Sequence, residues 1–191
     1  MTFEGLDGSG KTTQARLLAE RLSLDGEVVA TREPGGTPLG EEIRKLVLGG
    51  TNMSPWAECA LFAAARAELV AQVIRPALDR GAAVVCDRYI DSSLAYQGIA
   101  RGLGIEEVLQ LNLAVAGGLL PDRTFVLMLD PATAAKRTRR ARDRIEREGE
   151  AFHAALDSAY WQLGQLFPER IVLLDGSLEK EELAERVRVA I

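Results

Sequence analysis

Lys11 stands in a run, "GLDGSGKTT" from Gly5 to Thr13, whose residue types and spacing are those of a phosphate cradle. The run fits G-x-x-x-x-G-K-[ST], with Gly5, Gly10, Lys11 and Thr12 in the fixed places and Asp7, Gly8, Ser9 and Thr13 around them. Glycines let successive backbone N–H groups turn inward around an anion. The lysine reaches the β- and γ-phosphates, and the threonine hydroxyl ligates Mg²⁺. The next residues, "TQARLLAERL", read as a helix whose N-terminal end points at the anion. The run therefore predicts a bound nucleoside triphosphate, with Mg²⁺. It leaves open whether the γ-phosphate goes to water, to a protein switch or to a second small molecule.

A second acidic position bears on that question. "AAVVCD" at 82–87 is an apolar run ending in Asp87, in the place of a Walker-B aspartate that holds the Mg²⁺ shell. Capping the next helix is the bland alternative; an apolar strand ending in acid downstream of a phosphate loop favours the metal role. Water-activating ATPases often carry a glutamate beside this aspartate. Here the neighbour is Arg88, which cannot act as a base but forks well onto a phosphate. An acceptor that is itself a phosphate needs no strong base, because it is largely dianionic at neutral pH. It needs help approaching another polyanion.

Two short stretches could hold a nucleoside. In "IDSSLAYQG", Ser93, Tyr96 and Gln97 lie at i, i+3 and i+4 and share a helical face. In "LFAAARAEL", Phe62 and Arg66 offer a ring to stack on a base and a fork to bond its edge. A core tyrosine, a core phenylalanine and solvated polar residues explain each stretch equally well when taken alone. In "TREPGGTPLGEEIRKL", Pro34, Gly35 and Gly36 make a tight loop in which a cis bond at Glu33–Pro34 fits. Arg32 and Arg44 face either an acceptor phosphate or an ordinary surface ion pair. "PATAAKRTRRARDRIEREGE" carries Lys136, Arg137, Arg139, Arg140 and Arg142 with no acid between Pro131 and Asp143. Its second half reads as a solvated helix with Arg142–Glu146, Asp143–Arg147 and Arg144–Glu148 pairs. Its first half reads as a mobile arginine cover over the triphosphate, one arginine stabilising the transferring group.

The elements that must position these groups are legible as well. Apolar runs "MTFE", "EVVAT" at 27–31, "AAVVCD", "TFVLMLD" at 124–130 and "RIVLLD" at 170–175 do not alternate, as suits strands buried on both faces. Helical patterns lie between them. This predicts an α/β fold with a five-stranded parallel sheet between helices, ligands sitting at the carboxyl ends of the strands. At 191 residues the chain is expected to form one domain, residues 1–191. A net charge of −5 argues against a nucleic-acid or anionic-membrane partner. "LNLAVAGGLLP" is too short and too broken by glycine and proline to span a membrane, so a cytoplasmic location is expected. Cys59 and Cys86 are far apart and His153 is the single histidine, which speaks against zinc and a disulfide framework. Only Met1 to Glu4 precede the phosphate loop, and "AERVRVAI" stops in mid-pattern, so trimming at both ends is expected.

In "FEGLDGSGKTT", "TREPGGTPLGEEIRKL", "LFAAARAEL", "DRYIDSSLAYQG", "PDRTFVLMLD" and "DRIE", taken in order and spacing, the chain resembles bacterial thymidylate kinases over nearly its whole length. The resemblance implies ATP-dependent phosphorylation of dTMP to dTDP, a P-loop three-layer sandwich of strand order 2-3-1-4-5 and a homodimer built on helices. It implies that Phe62 stacks on thymine, Arg66 bonds its O4, and Ser93 and Gln97 lie near the base. Tyr96 is then under the sugar, Arg88 and Arg44 at the acceptor phosphate, Asp7 near the 3′-hydroxyl, and Glu33 and Pro34 among the residues binding the acceptor. Members with a phosphate-loop arginine carry it directly after that acid, where this chain has Gly8. A lid over about 136–150 is then expected to supply the catalytic arginine, Arg139 or Arg142, with Arg137 at the nucleotide. A kinase of another acceptor, or a nucleotide-operated switch, is the competing reading; the N-K-x-D string of GTP switches is absent.

Overall fold

The computed structural model describes residues 1–50, 52–137 and 143–191. Five parallel strands form one sheet in the order β2-β3-β1-β4-β5, as predicted. They are β1 (Thr2–Gly5), β2 (Val28–Arg32), β3 (Ala83–Asp87), β4 (Thr124–Met128) and β5 (Ile171–Asp175). The central three are the most buried, while β2 and β5 at the edges are partly exposed. That is why the central runs carry almost no exposed polar position.

Alternation along the strands sorts side chains onto the two faces. Phe3 and Phe125, register partners with ring centroids 5.3 Å apart, face one layer. There they meet Ala15 and Leu18 of α1 (Lys11–Leu22) and Val187 of α9 (Lys180–Val189). Val126 and Ile171 face the other layer, against Leu156, Ala159 and Leu163 of α8 (Glu150–Leu166) and Val108 of α6 (Ile105–Val115). Two further helices, α2 (Pro38–Leu48) and α3 (Pro55–Leu69), pack on each other through Ile43, Val47 and Ala65. Short helices α4 (Arg75–Asp79), α5 (Ile90–Ser93) and α7 (Pro131–Arg137) complete the described set. Buried Asp91 in α5 receives both terminal nitrogens of Arg170 at 2.7 Å and the Thr124 hydroxyl at 2.8 Å, which ties α5 to the sheet.

Two features depart from the regular helices that apolar spacing predicts. After α3 the chain takes a π-helical turn at Val70–Ile74, and after α5 another at Leu94–Ala100. Such insertions keep the chain helical but rotate the residues C-terminal to them, and they recur at functional sites. The pairs expected on a helix over 142–148 are not those formed by the described part of that segment. Residues 144–147 are turns, followed by a bend at 148, with no helix over 143–149. The Asp143 carboxylate takes the N–H groups of Ile145 and Glu146, both at 2.9 Å, competing with helix for those donors. Arg144 turns inward instead, to Glu58 and the Val47 carbonyl, and Glu148 pairs with Arg101 at 2.7 Å.

Candidate functional site

The carboxyl ends of the strands converge on one cleft. At its floor, Gly5 ends β1 with φ of +127° and its Cα so close to β4 that a side-chain carbon would lie 2.5 Å from the Leu127 carbonyl oxygen. Only glycine fits there. The chain then turns through Gly8 and Gly10, both at positive φ, into α1. The Ser9 hydroxyl inside this loop is buried, with no hydrogen-bond partner among the described residues. Lys11 is buried too; its Nζ donates to the Leu6 carbonyl at 2.7 Å and stands 3.5 Å from Asp7. Burial, together with the nearby Arg88 charge, lowers its pKa to about 8.

Thr12, at the start of α1, donates its hydroxyl to Asp87 at the end of β3. These are hard oxygens at the mouth of a phosphate loop, a donor set suited to Mg²⁺. Thr13, Arg32 and Arg137 line the same part of the cleft. Arg137 donates to the Gly176 carbonyl at 2.9 Å, and Arg32 pairs with Glu41 at the surface at 2.9 Å. Arg139, Arg140 and Arg142 lie outside the described residues.

Arg88 marks the middle. Its backbone is left-handed, φ +71°, a strained conformation for a residue with a side chain. It is held there by Glu4, an acid inside a buried strand. The Glu4 carboxylate accepts the N–H of Tyr89 at 2.8 Å, the N–H and hydroxyl of Ser92 at 3.1 and 2.5 Å, and the Tyr160 hydroxyl at 3.1 Å. Burial raises its pKa to about 7 against the pull of Arg88. The guanidinium of Arg88 donates to Asp7 at 2.8 Å and to Ser92 at 3.1 Å, and lies over the Tyr96 ring. Despite burial, Arg88 and Lys11 hold the Asp7 carboxyl well below the usual carboxylate range. Asp7, Glu33, Arg44 and Arg88 border both halves of the cleft.

The second half is walled by Phe62, Ser93, Tyr96 and Gln97, with Pro34 and Arg44 at its rim. The Glu33–Pro34 bond is cis, and the Pro34 carbonyl receives Arg44 at 2.9 Å. Arg66 also lines this wall, and all five of its N–H donors are committed inside the protein. Nε goes to Glu33 at 2.9 Å, and the terminal nitrogens go to Glu33, to the Tyr89 carbonyl at 2.9 Å, to Ser93 at 3.0 Å and to Asn112. A carbonyl entering here must compete with Ser93 for Arg66, or take a bond from the Ser93 hydroxyl itself.

The family's sequence profile, described as Thymidylate kinase, matches residues 3–187. The chain belongs to the thymidylate kinase family. It is similar to thymidylate kinases of Symbiobacterium thermophilum, 47% identical over 98% of this chain and 90% of that one, and of Leifsonia xyli, 51% identical over 98% and 91%. In three dimensions it is similar to the crystal structure of thymidylate kinase from Ehrlichia chaffeensis, with 34% identity, a TM-score of 0.82, and coverage of 100% of this chain and 97% of that one.

Four supporting residues escape a reading of the sequence for reactive groups: Glu4, Glu58, Asn112 and Tyr160. Three of them leave a signal in the sequence, each being the one acid or amide in a largely apolar run: "MTFE", "WAECALF" and "LNLAVAG". In such runs a polar side chain must have a buried partner.

Proposed function

We infer that this chain transfers the γ-phosphate of ATP to dTMP, giving dTDP and ADP. The carrying observation is that Asp7, Glu33, Arg44 and Arg88 border two adjoining cavities, one on the phosphate loop and one walled by Phe62, Ser93 and Gln97. That arrangement suits a triphosphate and a nucleoside monophosphate meeting end to end. The loop N–H groups and Lys11 hold the β- and γ-phosphates. Thr12 and Asp87 would hold Mg²⁺, which would supply positive charge against the triphosphate. Arg88, with Arg44, draws in the acceptor phosphate, whose oxygen attacks the γ-phosphorus as the bond to the β-phosphate oxygen breaks and ADP leaves. Phe62 stacks on thymine, Ser93 and Gln97 face its edge with Arg66 behind them, Tyr96 lies under the sugar and Asp7 near its 3′-hydroxyl. An arginine of the 136–150 lid, Arg139 or Arg142, meets charge developing on the transferring group, as part of a single 1–191 domain.

The protein is expected to work in the cytoplasm as a homodimer built on helices; light scattering at micromolar concentration reads the mass. Among the described residues no helix is long and apolar enough to cross a membrane. The decisive experiment is ADP release against a panel of nucleoside monophosphates. Turnover with dTMP well above all others supports the reading, and equal or better turnover with another acceptor overturns it.

A further inference from the structure

Gln97 is almost wholly buried, and its Nε2 donates to Glu58 of α3 at 2.8 Å. A carboxylate only accepts, so this contact fixes which end of the carboxamide is which. Glu58 cannot swing away. It also receives Arg101 at 3.2 and 3.3 Å and Arg144, which is itself bonded to the Val47 carbonyl. Burial opposes its charge, but the bonds from Gln97, Arg144 and Arg101 outweigh that and hold its pKa below the ordinary value. With Nε2 committed, Gln97 Oε1 has no hydrogen-bond partner among the described residues, and Gln97 lines the cleft beside Phe62 and Ser93. One helical turn before it, Ser93 accepts from Arg66, which leaves its hydroxyl proton to give. The wall therefore presents a donor and, next to it, an acceptor.

That pair complements a pyrimidine with a carbonyl at C4 and a proton on N3. Cytosine has the inverse pattern, an amino group at C4 and a bare acceptor at N3, and would set donor on donor and acceptor on acceptor. We propose that Glu58 is a specificity-positioning residue, which by fixing the carboxamide of Gln97 turns an acceptor toward N3 and so selects thymine over cytosine. This role rests on the dTMP reading and adds a residue that does not touch the base.

The test uses the full chain and kcat/KM for dTMP and dCMP. In Glu58→Gln, Arg101 and Arg144 claim the single carbonyl. The new amide then faces Gln97, which must turn its oxygen inward and its amide toward the base. The dTMP-to-dCMP ratio is expected to fall about 10–100-fold, the scale of leaving one buried polar group without its partner. The double variant Glu58→Gln, Gln97→Glu restores an acceptor at the base and should recover most of the ratio, which a merely structural role for Glu58 does not predict. A folded Glu58→Gln with the wild-type ratio overturns the proposal. If Glu58→Gln does not fold, the double variant decides alone: preference kept supports the proposal, preference lost overturns it. Wild-type protein that fails to prefer dTMP counts against the functional reading instead.

Discussion

The hydroxyl of Thr12 donates to the carboxylate of Asp87, joining the start of α1 to the end of β3 across 75 residues of sequence. The contact brings together two oxygen donors at the carboxyl edge of the sheet, and these two residues would hold a Mg²⁺ ion bound with the triphosphate. Asp87→Asn keeps the shape and loses the charge. It should raise the Mg²⁺ concentration needed for half-maximal rate by about 10–100-fold. A Mg²⁺ titration of ADP release checks this; an unshifted curve leaves Asp87 as a structural partner of Thr12 alone.

Lys11 carries a desolvated charge in the free protein, and its pKa is lowered to about 8 from 10.5. Between those values the unfolded chain keeps a proton that the folded one releases, so this group's contribution to stability rises with pH across that window. Below pH 8 the charged lysine is a cost on the order of 3 kcal/mol at about 1.4 kcal/mol per pH unit. Lys11→Met should therefore melt no lower than wild type at pH 7 without ligand, while losing at least about 10²–10³ in rate through missing phosphate stabilisation. ATP should raise the wild-type melting temperature far more than the variant's. A variant that melts lower without ligand would show that Lys11 supports the fold.

Glu4 makes the opposite pH statement. Its folded pKa of about 7 lies above the ordinary value of 4.5, so the folded state binds the extra proton between them. Stability from this group is fully present below 4.5 and is lost as pH rises through 7. Arg88, Asp91, Lys11, Arg66 and Tyr160 share its field. Glu4→Gln removes the titration. Urea melts at pH 5 and pH 8 should show wild type gaining on the variant at the lower pH, by about 3 kcal/mol at most. Parallel curves for the two proteins would place the carboxyl's titration outside this window.

The same residues show how far a sequence discloses a site. The sheet is legible because strands buried on both faces must be apolar throughout, and β1, β3 and β4 are nearly so. The phosphate loop is legible because its glycines answer to backbone geometry, which is a local property. Arg66 is legible as a wall residue but not as a saturated donor, since Glu33, Ser93 and Asn112 reach it from 33, 27 and 46 residues away. Within the arginine-rich segment, residues 143–148 read falsely as helix because i, i+4 charge spacing is blind to a buried Glu58 that competes for Arg144. Long-range partners of polar groups are set by topology, and spacing carries no trace of them.

Arg66 and Glu33 form an ion pair in which both side chains are nearly inaccessible, 1% and 4% exposed. Burial pushes the Glu33 pKa up, against the Arg66 charge beside it. Arg66→Ala then leaves a carboxylate buried without its partner, and such truncations cost about 3–5 kcal/mol. Loss of dTMP turnover in that variant would mix unfolding with lost recognition. Ser93→Ala separates them. It leaves the ion pair whole, removes the hydroxyl at the cleft and releases one Arg66 donor. If the base carbonyl takes its bond from the Ser93 hydroxyl, dTMP kcat/KM falls about tenfold, the value of one hydrogen bond near 1.4 kcal/mol, and dCMP changes less. If Arg66 reads the carbonyl directly, the freed donor serves and dTMP turnover is kept. With all five donors of Arg66 already committed, the first outcome is expected. Melting curves of Ser93→Ala beside the kinetics ensure that the fall, when seen, belongs to the base and not to the fold.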